Sequence, residues 1–252
     1  MANSPSGDSV TERVVRVLET FDTDRTVQTV AQIGRRAHLP PSTAQRIVAE
    51  LTASGLLERD DDGRVRLGLR LWELALRGSR ALRLRQAALP HMERVQARVR
   101  EHTQLAVLEQ DEALFLERLS HPQAGANITR IAGRLPLHAS SAGLVLLAHA
   151  PEAVRERVLA APLRALTPET TTDAATLRGM LAGIRREGHV VAAGSIESVS
   201  TGVAVPVRDG ARGEVIAALA VVLPRDAPTA GAVEELRRAA AGVSPAVSAP
   251  HP

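Results

Sequence analysis

Residues 39–68, LPPSTAQRIVAELTASGLLERDDDGRVRLG, constrain the fold of this chain more than any other stretch. At 100° per residue, Ala44, Ile47, Val48 and Leu51 fall in one narrow sector of a helix. Ser42, Gln45, Arg46 and Ala49 fall on the opposite side. Such a helix must lay its apolar stripe on a neighbour and leave its polar face outward. Pro41 suits the first helical position, where a missing N–H costs nothing, and Gly55 closes the helix. Two short strands, 56–59 and 64–67, then flank DDDG, whose Asp-Gly end favours a hairpin.

The neighbours of that helix are legible upstream. A helix is predicted from Val10 to about Phe21, with Val14, Leu18 and Phe21 repeating at i, i+4 and i+7. Thr29, with Gln32 three residues on, forms a capping box that opens a second helix, whose inner face is Val30, Ile33 and Ala37. Ala37 to Pro40 is the turn. Helix, tight turn, amphipathic helix and arginine-bearing hairpin follow the order of a winged helix-turn-helix. Gln45 can pair bidentately with adenine and Arg46 with guanine. Ser42 and Thr43 in the first helical turn can reach phosphates, as can that turn's free N–H groups, and Thr29 at the start of the second helix is counted with the DNA-binding residues. Arg64 and Arg66 on the hairpin can meet backbone or minor groove. The same residues also describe a solvated surface helix beside an ordinary hairpin, and on pattern alone both readings stay open.

Charge favours the first reading weakly. All 31 basic residues are Arg, against 28 acidic ones, for a net charge of +3. Residues 1–85 hold 14 Arg against 11 Asp and Glu, and the rest of the chain holds 17 against 17. The whole excess therefore lies in the first third, as suits a DNA-facing N-terminal domain. Cys is absent, which removes disulfides, thiolate nucleophiles and Cys-based zinc sites. No apolar run approaches the roughly 18 residues of a membrane span, and the first residues, MANSPSGDSVTER, lack the pattern of a secretory signal. Cytoplasm is the expected location.

Beyond the hairpin, a connecting helix is predicted over 69–83, carrying the only Trp, Trp72. Pro90 marks the start of a fresh helix. Strands are predicted at 105–109, 113–118, 127–131, 190–193, 202–207 and 215–223. Helices are predicted at ASSAGLVLLAHA, at 173–187 and at 230–241. The fold class is α+β with two domains. The expected boundaries are a disordered start (1–8), a winged helix-turn-helix domain (9–68), a linker helix (69–84), a second domain (85–245) and a disordered tail (246–252).

No catalytic constellation emerges. His138 stands near Ser140 and Ser141, but ASSAG lacks the first Gly of a nucleophile elbow and no Asp can be placed to complete a triad. The eight His show no H-E-x-x-H spacing, and no G-x-G-x-x-G or P-loop is present. Neither metal nor cofactor is expected.

With these motifs in view, residues 9–68 resemble the DNA-binding domain of IclR-type transcriptional regulators. The likeness lies in the Leu-Pro, Ser-Thr, the Arg three residues after the Thr, the Gly-aliphatic-Leu, the acidic turn and the Arg-Leu-Gly. It continues at LAVLEQDEALFLERL, GRLPLHASSAGLVLLA and GVAVPVRDGARGEVIAALAVVLP. One departure is His38, where the family usually has Gly in the turn. If that position needs a positive φ, His tolerates it less easily. The resemblance implies a second domain similar to GAF domains, with a curved antiparallel sheet and helices enclosing a small-molecule effector. It places the effector site at His138, Ser140, Ser141 and Ala142, at Gly202, and at Ala220 and Val222. The helix start at Ser140–Ala142 suits a carboxylate. Members that bind small polar acids often carry Cys at the position of Gly202 and Ser at those of Ala220 and Val222. An effector less polar than glyoxylate or pyruvate, aromatic or lactone-like, is therefore expected, because an unpaired polar group there costs about 1–3 kcal/mol. The implied partners are double-stranded DNA with a pseudo-palindromic operator, a small-molecule effector and further copies of the chain, as a dimer or tetramer. A ligand-binding module that uses its winged helix for protein contact is the alternative, with an esterase-like enzyme behind it.

Overall fold

The computed structural model describes residues 8–122, 124 and 128–248, with side chains described to residue 244. The chain divides into two compact units, residues 1–79 and 80–252.

In the first unit, α1 (Val10–Glu19) is capped by Ser9, whose side chain accepts from the Glu12 N–H while Glu12 reaches back. Of the disordered start expected over 1–8, residues 1–7 lie outside the described residues. Asp8 is tied into the unit by an ion pair to Arg16 at 2.8 Å. The Thr29–Gln32 box caps α2 (Val30–Arg36). Pro41 begins α3 (Pro41–Ala53), whose buried residues are Ala44, Ile47, Val48 and Leu51, the stripe read from the sequence. α2 and α3 approach so closely that a β-carbon on Gly34 would lie 3.0 Å from that of Ala44. The turn between them holds His38 at φ 53°, so the strain anticipated for a side chain at this position is present. The hairpin pairs β1 (Leu57–Arg59) with β2 (Val65–Leu67). Buried Gln28 pins the unit together. Its backbone exchanges hydrogen bonds of 2.9 and 2.7 Å with Val65. Its amide donates to the Thr20 carbonyl at 3.0 Å and accepts from Arg36.

The helix expected over 69–83 is two helices. α4 (Leu69–Leu76) ends at Arg77, and α5 (Arg80–Val99) starts after Gly78, a residue that costs about 1 kcal/mol inside a helix. Pro90 does not start a helix but sits inside α5. Leu84, Ala88, Met92 and Val95 are buried on both sides of it, so packing offsets the roughly 3 kcal/mol a proline costs. Pro90 and Gln86, whose carbonyl loses its partner, are both exposed to water.

The second unit is built on a six-stranded antiparallel sheet in the order β5-β4-β3-β8-β7-β6. The strands are β3 (His102–Glu109), β4 (Glu112–Leu119), β5 (Arg134–Pro136), β6 (Val190–Ala193), β7 (Ser200–Arg208) and β8 (Val215–Pro224). The strand expected at 127–131 is absent. Asn127 lies outside the described residues, and 128–131 lead into a turn in which Gly133 donates to the Arg130 carbonyl at 2.9 Å. Ala132 then donates to the Phe115 carbonyl, and pairing with β4 resumes only at β5. One sheet face carries Ala106, Phe115, Ala204, Ala218 and Ala220 against α6 (Ser141–His149) and α8 (Ala174–Glu187). The other carries Leu105, Val203, Val205, Leu219 and Val221 against α5 and α9 (Ala230–Ser248). Small residues on the α6 face let that helix, buried along eight of its nine residues, lie close to the sheet. α7 (Glu152–Ala160) was not anticipated; only Val158 and Leu159 are buried, too few to print a periodic stripe. α9 continues past the expected end at 241 to Ser248, and 249–252 lie outside the described residues.

Candidate DNA-reading surface and effector cavity

On α3 the side chains of Ser42, Gln45 and Arg46 are exposed and Thr43 is half-buried, while Ile47 and Val48 are fully covered. The helix thus offers a short polar face held from behind. Arg46 pairs with Glu50 at 2.8 Å, with both side chains more than half exposed. An exposed i,i+4 pair is worth about 0.3–0.5 kcal/mol, so it yields readily to a base edge. Thr29 is exposed, but its hydroxyl is engaged with Gln32 in the cap.

The hairpin arginines are less free. Arg64 Nε lies 3.1 Å from Asp60 and Nη2 lies 3.0 Å from Asp62. Arg66 pairs with Glu58 at 3.1 Å, and Glu58 also accepts the Leu69 N–H. Desolvation raises the Asp60 carboxyl's pKa, but the Arg64 N–H and guanidinium outweigh it and hold the group below the ordinary aspartate range. Glu58 is lowered first by the Leu69 N–H and then by Arg66. The acidic turn is therefore an intramolecular counter-ion set for the wing. The alternation of Arg and Asp along the sequence could have shown this.

In the second unit, Ser140 caps α6: its hydroxyl accepts from the Gly143 N–H at 3.0 Å. Ser140, Ser141, Ala142, Gly202 and Val222 line one cavity, together with Gln104, Phe115, Leu135, Ala192, Ser195, Ile196, Glu197 and Ser200. Gly202 is needed here, since a β-carbon on it would lie 2.6 Å from Ser141 Oγ. Two expected residues are elsewhere. His138 is buried, with its ring Nε2 2.9 Å from the Arg164 carbonyl, and Ala220 is fully covered in the core. The His138 Nε2 thus donates to the Arg164 carbonyl, and the Ser140 hydroxyl is engaged by the helix start and the Pro136 carbonyl. The cavity is about 40 Å3, room for one or two waters rather than a ring. A larger hollow of about 510 Å3 lies at Glu109, His149, Asp209 and Glu214, with arginines beside them, but none of the seven expected effector residues touches it.

One residue of the cavity escaped the sequence reading. Gln104, on the central strand β3, is 3 % exposed, and its Nε2 has no hydrogen-bond partner. A glutamine inside a run of residues buried on both sheet faces was the available signal.

Comparison with known proteins decides the family. The model of the bacterial transcriptional regulator IclR C-terminal domain matches residues 79–248, and that of the IclR helix-turn-helix domain matches residues 10–61. The chain belongs to the IclR family. An IclR homologue from Microbacterium hydrocarbonoxydans, solved in complex with 4-hydroxybenzoate, is 62% identical. The match covers 95% of this chain and 99% of that one, with a TM-score of 0.91. XynR of Escherichia coli is 29% identical over 95% of this chain and 97% of its own. The probable transcriptional regulator SauR of Cupriavidus necator is 30% identical over 95% and 96%. This IclR-family chain is thus a two-domain α+β transcriptional regulator, with a helix-turn-helix domain and a second domain of curled antiparallel sheet and helices. No helix among its described residues is long and apolar enough to cross a membrane.

Proposed function

We propose that this regulator reads a pseudo-palindromic operator with Gln45 and Arg46, works in the cytoplasm, and is controlled by an aromatic carboxylate of the 4-hydroxybenzoate class. It acts as a sensor and not as an enzyme. The observation that carries the effector class is the ligand of the 62%-identical Microbacterium structure. The cavity is consistent with it. Gly202 and Val222 offer no side-chain donor, Phe115 offers an aromatic wall, and the α6 start offers N–H groups and the positive end of a helix dipole to a carboxylate. At the positions of Gly202 and Val222 a small polar acid finds no side-chain partner. Because ligand pockets run to about 300–1,000 Å3, the ring enters only when the cavity widens, and the wall with the least core around it is at half-buried Ile196, Glu197 and Ser200.

A second copy of the chain completes the reading. One recognition helix spans few base pairs, so half-sites require two-fold pairing. Leu69, Trp72 and Leu76, at i, i+3 and i+7 on α4, are all exposed, one face of large apolar side chains that water does not favour.

The test is a gel shift on the intergenic DNA upstream of the regulator's own gene. A retarded complex is expected whose stability changes with 4-hydroxybenzoate and not with glyoxylate. Equal response to both acids, or none, overturns the effector class; absence of any complex on operator-containing DNA overturns the DNA reading in favour of protein contact.

A further inference from the structure

We propose that Gln104 determines effector specificity by reading a hydroxyl group at the end of the ligand remote from its carboxylate; this rests on the aromatic-acid reading above. Gln104 is 97% buried and lines the cavity, yet its amide Nε2 has no partner. A buried donor without a partner is costly, and native interiors rarely keep one without a reason. Nothing in the core calls for a glutamine there. In the sheet register, Gln104 stands opposite Ala220 on β8, which stands opposite Ala204 on β7, so small apolar residues satisfy the same row.

The sheet also fixes where the amide stands relative to the carboxylate end. His102, Val222 and Gly202 share one row across β3, β8 and β7, and Gly202 is where Ser141 at the α6 start touches the sheet. Gln104 is one row further along and two strands over. Two inter-strand steps of about 4.8 Å and one two-residue step of about 6.8 Å put its Cα roughly 12 Å from that of Gly202. A six-membered ring with substituents at opposite ends bridges such a gap. At one end the helix start offers N–H groups, the Ser141 hydroxyl and the positive end of a helix dipole, which together match a carboxylate. At the other, an amide offers both donor and acceptor, which matches a hydroxyl, itself acceptor and donor. The two ends are therefore chemically unlike, and the site orients a hydroxyaryl acid in one direction. A ring without the hydroxyl leaves the amide as unsatisfied as before.

The experiment compares 4-hydroxybenzoate with benzoate by calorimetric titration of the full chain, the parent against Gln104→Met and Gln104→Leu. The parent is expected to prefer 4-hydroxybenzoate by tenfold or more, and both variants are expected to lose that preference while binding benzoate at least as well. Without ligand, both variants are expected to melt no lower than the parent, because they remove an unpaired buried amide. A preference that survives in both variants, or a melting temperature that falls in both without ligand, overturns the role of Gln104 and leaves the effector class standing. If the parent binds neither acid, the aromatic-acid reading fails, and the role of Gln104 falls with it.

Discussion

Ser141 Oγ occupies the space that a side chain at position 202 would need: a β-carbon on Gly202 would stand 2.6 Å from it. The expected identity at this position, Gly in place of the Cys of small-acid binders, is thus tied to the placement of the α6 start. Gly202→Ala forces Ser141 to rotate or the helix start to shift. Overpacking of this kind costs about 1–3 kcal/mol. A melting temperature lowered by a few degrees is expected, together with a tenfold or greater loss of 4-hydroxybenzoate affinity by calorimetry. Unchanged affinity would show that the glycine serves packing alone.

Arg46 has only Glu50 to leave behind, at an exposed pair. Arg46→Ala is expected to weaken operator binding by about 1–3 kcal/mol and to relax base choice at one position of each half-site. Binding to a panel of single-base operator variants measures both effects. A uniform loss across the panel would reassign Arg46 to a phosphate.

Arg64 must leave Asp60 and Asp62 before it can hold a phosphate. Arg64→Ala should therefore weaken all DNA alike but modestly. Asp62→Asn should strengthen binding and steepen the dependence of log K on log salt by up to about 0.9 per phosphate gained. Anisotropy titrations at four salt concentrations decide it; a flat response to Asp62→Asn means the wing does not touch DNA.

The same cradle sets a pH response. The carboxyls of Asp60 and Glu58 are held below their ordinary ranges by Arg64, Arg66 and backbone N–H groups, so the ionised forms favour the folded hairpin. That contribution is present above the unfolded-state pKa values and is lost as pH falls through the lowered folded ones. Carboxyl carbon shifts followed by NMR from neutral to acid pH should show Asp60 and Glu58 titrating below the ordinary ranges for their residue types. Titration of both within those ranges would dissolve the claim.

Trp72 is 62% exposed and is the only tryptophan, so it reports on whatever covers α4. Its emission should shift to the blue with rising protein concentration, in step with dimer formation by light scattering. Trp72→Ala should raise the dimer dissociation constant at least tenfold.

The winged unit was legible because its constraints are local: a cap at Thr29, a Pro at helix position one, a stripe through Ala44, Ile47, Val48 and Leu51. The second unit was less so, since its signals depend on partners distant in sequence. Pro90 reads as a helix start until Leu84 and Met92 are known to pack the same sheet face. Ile128 and Ile131 read as strand until the turn at Arg130–Gly133 takes their backbone away. The residues expected at an effector site came from family likeness, and five of the seven line the cavity. Gln104 was overlooked because its meaning lies in an unmade hydrogen bond, which only neighbours across three strands can reveal.

The narrowness of the cavity has a consequence for how much effector the cell must accumulate. Under the aromatic-acid proposal, a cavity with room for only one or two waters admits a ring only in the fraction of molecules that have already opened, and the apparent dissociation constant is the intrinsic one divided by that fraction. An open population of about 1% makes the sensor roughly a hundredfold less responsive than its contacts alone allow. Trace metabolite then leaves transcription untouched, and the threshold can be retuned by changes that alter only the cost of opening.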